Sequence, residues 1–238
     1  MIRPFTPARR RGVEILDDPR VRSDTRARSM ADVVRSNTLL GGRRAVLREI
    51  DAALQSLGRA GLVLDVGTGL GDIPAAAAAH ARRRGVALTC VGLDGAESLL
   101  RTAGGRQAAA MNVCGNALLL PFADRSFDIV LCSQLLHHFE ESDGRRLIAE
   151  LDRVARRRVI VADLRRSWVA AIGFWIASIA LRFDAVTRHD GVVSVLRGFT
   201  TPELRALVER AVGVSPATRR ALGYRLTVSW APVGRSGA

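Results

Sequence analysis

The chain has 238 residues, 48% of them hydrophobic and 25% charged, enough for one sizeable core and too apolar for a disordered polypeptide. Its formal net charge of +13 comes entirely from arginine, since the sequence contains no lysine. The arginines are spread along the whole length, which favours solvated faces over a nucleic-acid footprint.

The opening Met1-Ile2-Arg3 runs into no apolar stretch, so no secretory leader is read and a cytoplasmic location is expected. Cys90, Cys114 and Cys132 are an odd, widely spaced set in apolar runs, expected to be buried reduced thiols. No metal site is read. Residues 1–30 are polar and rich in helix breakers, and are expected to form a loose arm. Arg43 to Leu57 carries apolar residues at helical spacing. The chain then alternates. Strands are expected at Leu62–Val66, Leu88–Leu93, Ala109–Cys114, Phe127–Cys132 and Arg158–Asp163. Helices are expected at Asp72–Arg84, Glu97–Thr102 and Ser142–Ala155. Such alternation predicts an α/β fold, a parallel sheet with helices on both faces. The pattern breaks at Trp168–Phe183, an almost wholly apolar run of 16 residues, shorter than the roughly 20 of a membrane span. Thr201 is the expected N-cap of a helix Pro202–Val212. Val214–Ala221 and Tyr224–Trp230 are expected to pair as an antiparallel hairpin. The organisation expected is an arm and possible flap over 1–42, then one domain over 43–238 with a lid insertion at about 165–200.

The sharpest local signal is Leu62-Val63-Leu64-Asp65-Val66-Gly67-Thr68-Gly69-Leu70-Gly71-Asp72. A buried strand enters three glycines at alternate positions, then a helix. Glycine there allows a tight turn and a close approach of ligand to backbone. Dinucleotide sites share this logic but place a glycine where this chain has Asp72. A carboxylate at that helix start repels a pyrophosphate. Asp94 ends the next strand, about 23 residues beyond Gly71, where a carboxylate can accept both ribose hydroxyls.

These residues resemble motif I and its acidic partner in the class I S-adenosylmethionine-dependent methyltransferases. The resemblance continues through Gly115-Asn116-Ala117-Leu118-Leu119-Leu120-Pro121-Phe122, similar to the family's adenine-flanking segment with Asn116 in place of aspartate. It continues again through Ser126-Phe127-Asp128-Ile129-Val130 and Leu135-Leu136-His137-His138-Phe139. It covers about residues 40–165 and is nearest the ubiquinone, menaquinone and small natural-product methyltransferase branch. It implies a Rossmann-like, mostly parallel seven-stranded sheet with a C-terminal antiparallel hairpin. It also implies S-adenosylmethionine as cofactor, held by Asp65, Gly67, Thr68, Gly69, Gly71, Asp94, Gly95, Asn116, Ala117, Ser133 and Gln134.

The acceptor's proton needs a base beside the C-terminal strand ends. His137 and His138 follow the fourth strand and Asp163 ends the fifth; at most one histidine is expected to face the acceptor, with His138 favoured. His189, with Asp190 holding its tautomer, is a further candidate, against a plain polar turn. Arg197 is read either as an orienting cation or as a solvated one. The apolar insert suggests a lid over a hydrophobic phenol, quinol or polyketide, methylated on oxygen or carbon. A homodimer interface or a peripheral membrane contact is the alternative role for the insert. The competing functions are an RNA methyltransferase using the arginine surface and a cofactor-binding module that methylates nothing. The segment Asn37–Gly42 is read as a second flap, over the cofactor.

Overall fold

The computed structural model describes residues 5–10, 12–18, 20–104 and 110–233. A 3-10 turn at Ile15–Asp17 precedes helices α1 (Ser23–Leu39) and α2 (Gly42–Leu54). Then follow β1 (Ala60–Val66), α3 (Asp72–Arg82), β2 (Ala87–Asp94), α4 (Glu97–Gly104), β3 (Ala110–Cys114) and β4 (Phe127–Ser133). After a 3-10 turn at Leu136–His138 come α5 (Glu141–Val154), β5 (Ala155–Leu164), α6 (Trp168–Ala180), α7 (Ala185–Arg197), α8 (Thr201–Val212), β6 (Ala217–Ala221) and β7 (Arg225–Trp230).

The seven strands form one sheet in the order β3-β2-β1-β4-β5-β7-β6. β1 to β5 run parallel, and β7 lies antiparallel between β5 and β6. Alternate residues of a strand face opposite sides. Leu64 and Val66 therefore pack with Val130, Leu147, Leu151 and Leu204 under α5 and α8, while Val63 packs with Ile50, Ala77, Cys90 and Ile129 under α2 and α3. Both faces are covered, which is why these strands read as nearly continuous apolar runs. The strand order reverses between β1 and β4. In open α/β sheets the crevice beyond the carboxyl ends at that reversal is where ligands bind.

Several expectations are corrected. The segment read as a loose arm packs closely. Arg10 N donates to Leu196 O at 3.2 Å and Trp168 N to Phe5 O at 3.0 Å. Ile15 N and Leu16 N both donate to the Asp190 carboxylate, at 2.8 and 2.9 Å. Thr187–Asp190 lies within helix α7, not in a turn. The N-cap of α8 is Thr200 rather than Thr201. Thr200 Oγ1 accepts from Glu203 N, and Glu203 Oε2 accepts from Thr200 N at 2.7 Å, a complete capping box. Cys90 and Cys132 are buried free thiols, whereas Cys114, at the end of β3, is exposed. Ala109, the first residue of the expected third strand, lies outside the described residues. The apolar run forms α6, ending at Ala180, and among the described residues no helix is long and apolar enough to cross a membrane.

Candidate active site

The β1–α3 loop is built by glycine. Gly67, Gly69 and Gly71 have φ of 77°, 55° and 73°, a region that side-chain-bearing residues rarely adopt. A Cβ on Gly67 would stand 2.9 Å from Leu135, and one on Gly69 would stand 3.0 Å from Met30 Cε. Gly67 N and Thr68 N donate to Leu93 O at 2.8 and 3.1 Å. Gly69 N donates to Asp94 Oδ2, while Asp94 Oδ1 accepts from Ala96 N, both at 2.9 Å. Asp94 thus ties the loop to the end of β2. Thr68 is buried, with its methyl beneath Gly92.

Three carboxyl groups gather here. Asp65 is buried, and its Oδ1 has no hydrogen-bond partner. Burial pushes its carboxyl up to about 7, and the charges of Asp72 and Asp94 push the same way. Burial also raises the Asp72 carboxyl, against a hydrogen bond from Asn37 Nδ2 at 3.3 Å. Crowded, desolvated acids suit a cationic ligand and oppose a phosphate. A sulfonium nucleoside with an amino-acid tail fits that charge, and a dinucleotide does not. Beyond Gly95, Gly115 N donates to Asp94 O at 3.1 Å, drawing the β3 end alongside. Asn116 Oδ1 accepts from Leu118 N at 2.9 Å, shaping the turn that carries Ala117. Ser133 closes β4. The next residue, Gln134, has φ 54° and links two elements: its amide donates to Asn37 Oδ1 and accepts from Arg225 Nη1 at 2.6 Å. Asn37, in the segment read as a flap, therefore joins α1 to both Asp72 and Gln134.

The two histidines differ sharply. His137 is buried. Its Nδ1 lies 2.7 Å from Asp163 Oδ1, and its backbone N–H donates to Asp163 Oδ2 at 3.1 Å. Burial acts to raise the Asp163 carboxyl, but the adjacent His137 ring and the Leu164 N–H hold it below its ordinary value. The carboxylate fixes Nδ1 as the protonated nitrogen, leaving the buried Nε2 a lone pair and no hydrogen-bond partner. His138 packs against it, with ring centroids 4.3 Å apart, and is partly exposed. Its Nδ1 is 3.1 Å from Asp17 Oδ1. Burial opposes the protonated His138 ring, yet Asp17 and Glu14 outweigh it and raise its pKa.

His137 is thus the more deeply buried and the more firmly oriented of the two. His189 sits on α7 with half its side chain exposed, 2.8 Å from Asp190. The main work of Asp190 is to hold residues 15 and 16. Arg197 is neither solvated nor free, because its Nη1 reaches Glu14 and Asp17 at 3.1 and 2.9 Å. Three groups at the site escaped the sequence reading: Glu14, Asp17 and Arg225. Glu14 and Arg225 are buried and line a chamber of about 80 Å³, together with Gln134, Phe174, Thr187 and Ser194. A lone acid in a polar leader and an arginine opening a strand carry no periodic or motif signal.

A family model described as a methyltransferase domain matches residues 64–162. A demethylmenaquinone methyltransferase of Roseiflexus is 34% identical over 185 residues, covering 72% of this chain and 74% of that protein. Another, from Thermotoga maritima, is 36% identical over 104 residues, and the match spans 43% of either chain, less than half the length of that relative. The structure of a magnesium protoporphyrin IX methyltransferase from Synechocystis PCC 6803 with bound S-adenosylmethionine superposes with a TM-score of 0.59. It is 14% identical, over 94% of this chain and 100% of that one, and the likeness is one of fold.

Proposed function

This chain belongs to the class I S-adenosylmethionine-dependent methyltransferases, and from that premise we propose that it methylates an acidic hydroxyl of a lipophilic small molecule such as a phenol or quinol. One observation carries the reading: the buried His137, oriented by Asp163, with an unpartnered Nε2 at 3.7 Å from Glu14, a residue of the chamber wall. The relatives named as demethylmenaquinone methyltransferases support a quinol-like acceptor, on which a carbon site is the alternative to oxygen.

When bound, S-adenosylmethionine supplies a methyl group on a sulfonium, already activated for in-line displacement. The residues that would hold it are Gly67, Gly69 and Gly71 of the loop, Asp94 for the ribose, and Asn116 and Ala117 for the adenine. Asp65 and Asp72 supply negative charge beneath. The remaining work falls to the acceptor side. His137 Nε2, 3.7 Å from Glu14 of the chamber wall, takes the acceptor's hydroxyl proton by way of that carboxylate, and Asp163 balances the imidazolium that forms. α6 closes the chamber with Phe174. Its other face leaves Val169, Ile172, Trp175, Ile176 and Ile179 exposed. Phe174, with Leu16, Val33, Leu164 and Val195, gives the chamber an apolar lining that suits an alkylated ring.

The test is a panel of phenolic and quinol acceptors with isotopically labelled methyl donor, following methylated product and S-adenosylhomocysteine together. Transfer in step with cofactor turnover is expected for at least one lipophilic hydroxyl compound. Nicotinamide or flavin binding in place of the methyl donor would end this reading.

A further inference from the structure

Glu14, His137 and His138 bring one carboxylate and two imidazoles together in the wall between two cavities. Glu14 lines the chamber of about 80 Å³, while His137, His138 and Asp17 line an outer cavity of about 200 Å³. Their ligating atoms all lie within 4.8 Å of one another. His137 Nε2 is 3.7 Å from Glu14 Oε1, and His138 Nε2 is 3.9 Å from Glu14 Oε2. Two donors each about 2.1 Å from one ion stand at most about 4.2 Å apart, so these pairs need little movement to share one.

The far side of each ring strengthens the case. His137 Nδ1 is held by Asp163 at 2.7 Å and His138 Nδ1 by Asp17 at 3.1 Å. Both rings thereby turn Nε2 toward Glu14. Metal-ligating histidines are oriented in this way, by a carboxylate on the other nitrogen. His137 Nε2 has no hydrogen-bond partner and its side chain is only 2% exposed, so a buried acceptor awaits a cation. Ser194 Oγ and Arg197 Nη1 donate to Glu14 Oε1 at 2.8 and 3.1 Å. They orient the carboxylate. Arg197, with Arg9 and Arg10 of the outer cavity, opposes a cation, and Glu14, Asp17 and Asp163 supply the countercharge. Two imidazoles and one carboxylate, with the outer cavity to admit water as a further ligand, match a borderline divalent ion.

We propose that Glu14, His137 and His138 form a binding site for one divalent cation of the zinc class, with Asp163 and Asp17 as the groups that orient its ligands. Binding rests on this geometry alone. Its consequence rests on the reading of His137 as base: cation and proton compete for Nε2, so the loaded protein loses base-assisted transfer.

Cobalt(II) is a suitable probe, titrated into the untagged full chain and followed by its visible absorption. One ion per chain is expected, displaced by zinc. His138→Ala and Glu14→Gln, each checked for native circular dichroism, are expected to lose the absorption bands. Asp17→Asn is expected to weaken binding about 10-fold or more. Absence of cobalt bands in the wild-type chain would overturn the site, as would bands that persist in both ligand variants. Saturating zinc that left turnover unchanged would sink the base assignment for His137 and leave the site standing. Absence of binding would do the reverse.

Discussion

Asp65 sits at the foot of the glycine loop with its charge disfavoured by burial and by two neighbouring acids. Its ordinary value is 3.8 and its folded value is about 7, so between these the folded chain holds a proton that the unfolded chain releases. The stability this proton contributes is complete below the unfolded value and is lost as pH rises through about 7. Asp65→Asn is expected to stabilise the cofactor-free protein above pH 8 by on the order of 2 kcal/mol. Urea melts across pH 4 to 9 measure this. A cationic ligand favours the ionised form, so affinity for S-adenosylmethionine is expected to fall as pH drops below about 7. The asparagine variant should bind more weakly and without that dependence, and equal pH dependence in both proteins by calorimetry would count against the charge argument. The histidines give a second contrast at this scale. His137→Asn is expected to lower kcat by about 10² to 10⁴, the usual range for losing a general base. His138→Ala and His189→Ala should cost less than about 5-fold, since His138 is partly exposed and His189 half-exposed. A larger loss from His138→Ala than from His137→Asn, measured in metal-free buffer, would reverse the assignment.

None of the three residues of the 3-10 turn at Ile15–Asp17 is fully buried, and the Asp190 carboxylate of α7 holds two of its backbone N–H groups. Asp190→Ala strips both backbone donors of their acceptor and is expected to cost about 2 kcal/mol locally. Hydrogen exchange at Ile15 and Leu16 should quicken and turnover should fall, because Glu14 and Asp17 are delivered by that turn. Unchanged exchange would show the turn to be held by other contacts. The same elements mark the limit of sequence reading. β1, α3, β2, β4, α5 and β5 were legible because both sheet faces are covered and local apolar runs follow the period of each element. α1 was not, since its inward face is Ser29, Asp32, Ser36 and Asn37, a polar surface that hydrogen-bonds to the rest of the chain and leaves no hydrophobic stripe. α7 escaped in the same way, burying Thr187 and Asp190 beside Val195 and Leu196. The glycine loop and Asp94 are legible because close packing there demands particular residue types at fixed spacing. Glu14 and Arg225 meet the site only through tertiary folding, from opposite ends of the chain, and nothing near either in sequence announces it.

On the proposed reading, those opposite ends divide the molecule into a cofactor half that the sheet builds and an acceptor half that the N-terminal segment completes. Among the described residues, none before Val46 belongs to the hydrophobic clusters on either side of the sheet. The glycine loop, Asp94 and Asn116 stand on β1, β2 and β3. The leader instead crosses α7 and the turn after β4. There Arg9 donates to Arg197 O at 2.7 Å, and Glu14 joins Ser194 and Arg197. Removing residues 1–21 while keeping α1 is therefore expected to leave a cooperatively folded chain whose affinity for S-adenosylhomocysteine changes less than about 5-fold. The same truncation takes away Glu14 and Asp17 and opens the chamber to water, so acceptor methylation should fall by at least 10²-fold, the scale of a misplaced or hydrated reacting centre. Calorimetry with the demethylated cofactor and single-turnover methylation measure the two halves separately. Loss of cofactor binding in parallel with turnover would show that the leader stabilises the whole sheet, and the division between the halves would fail.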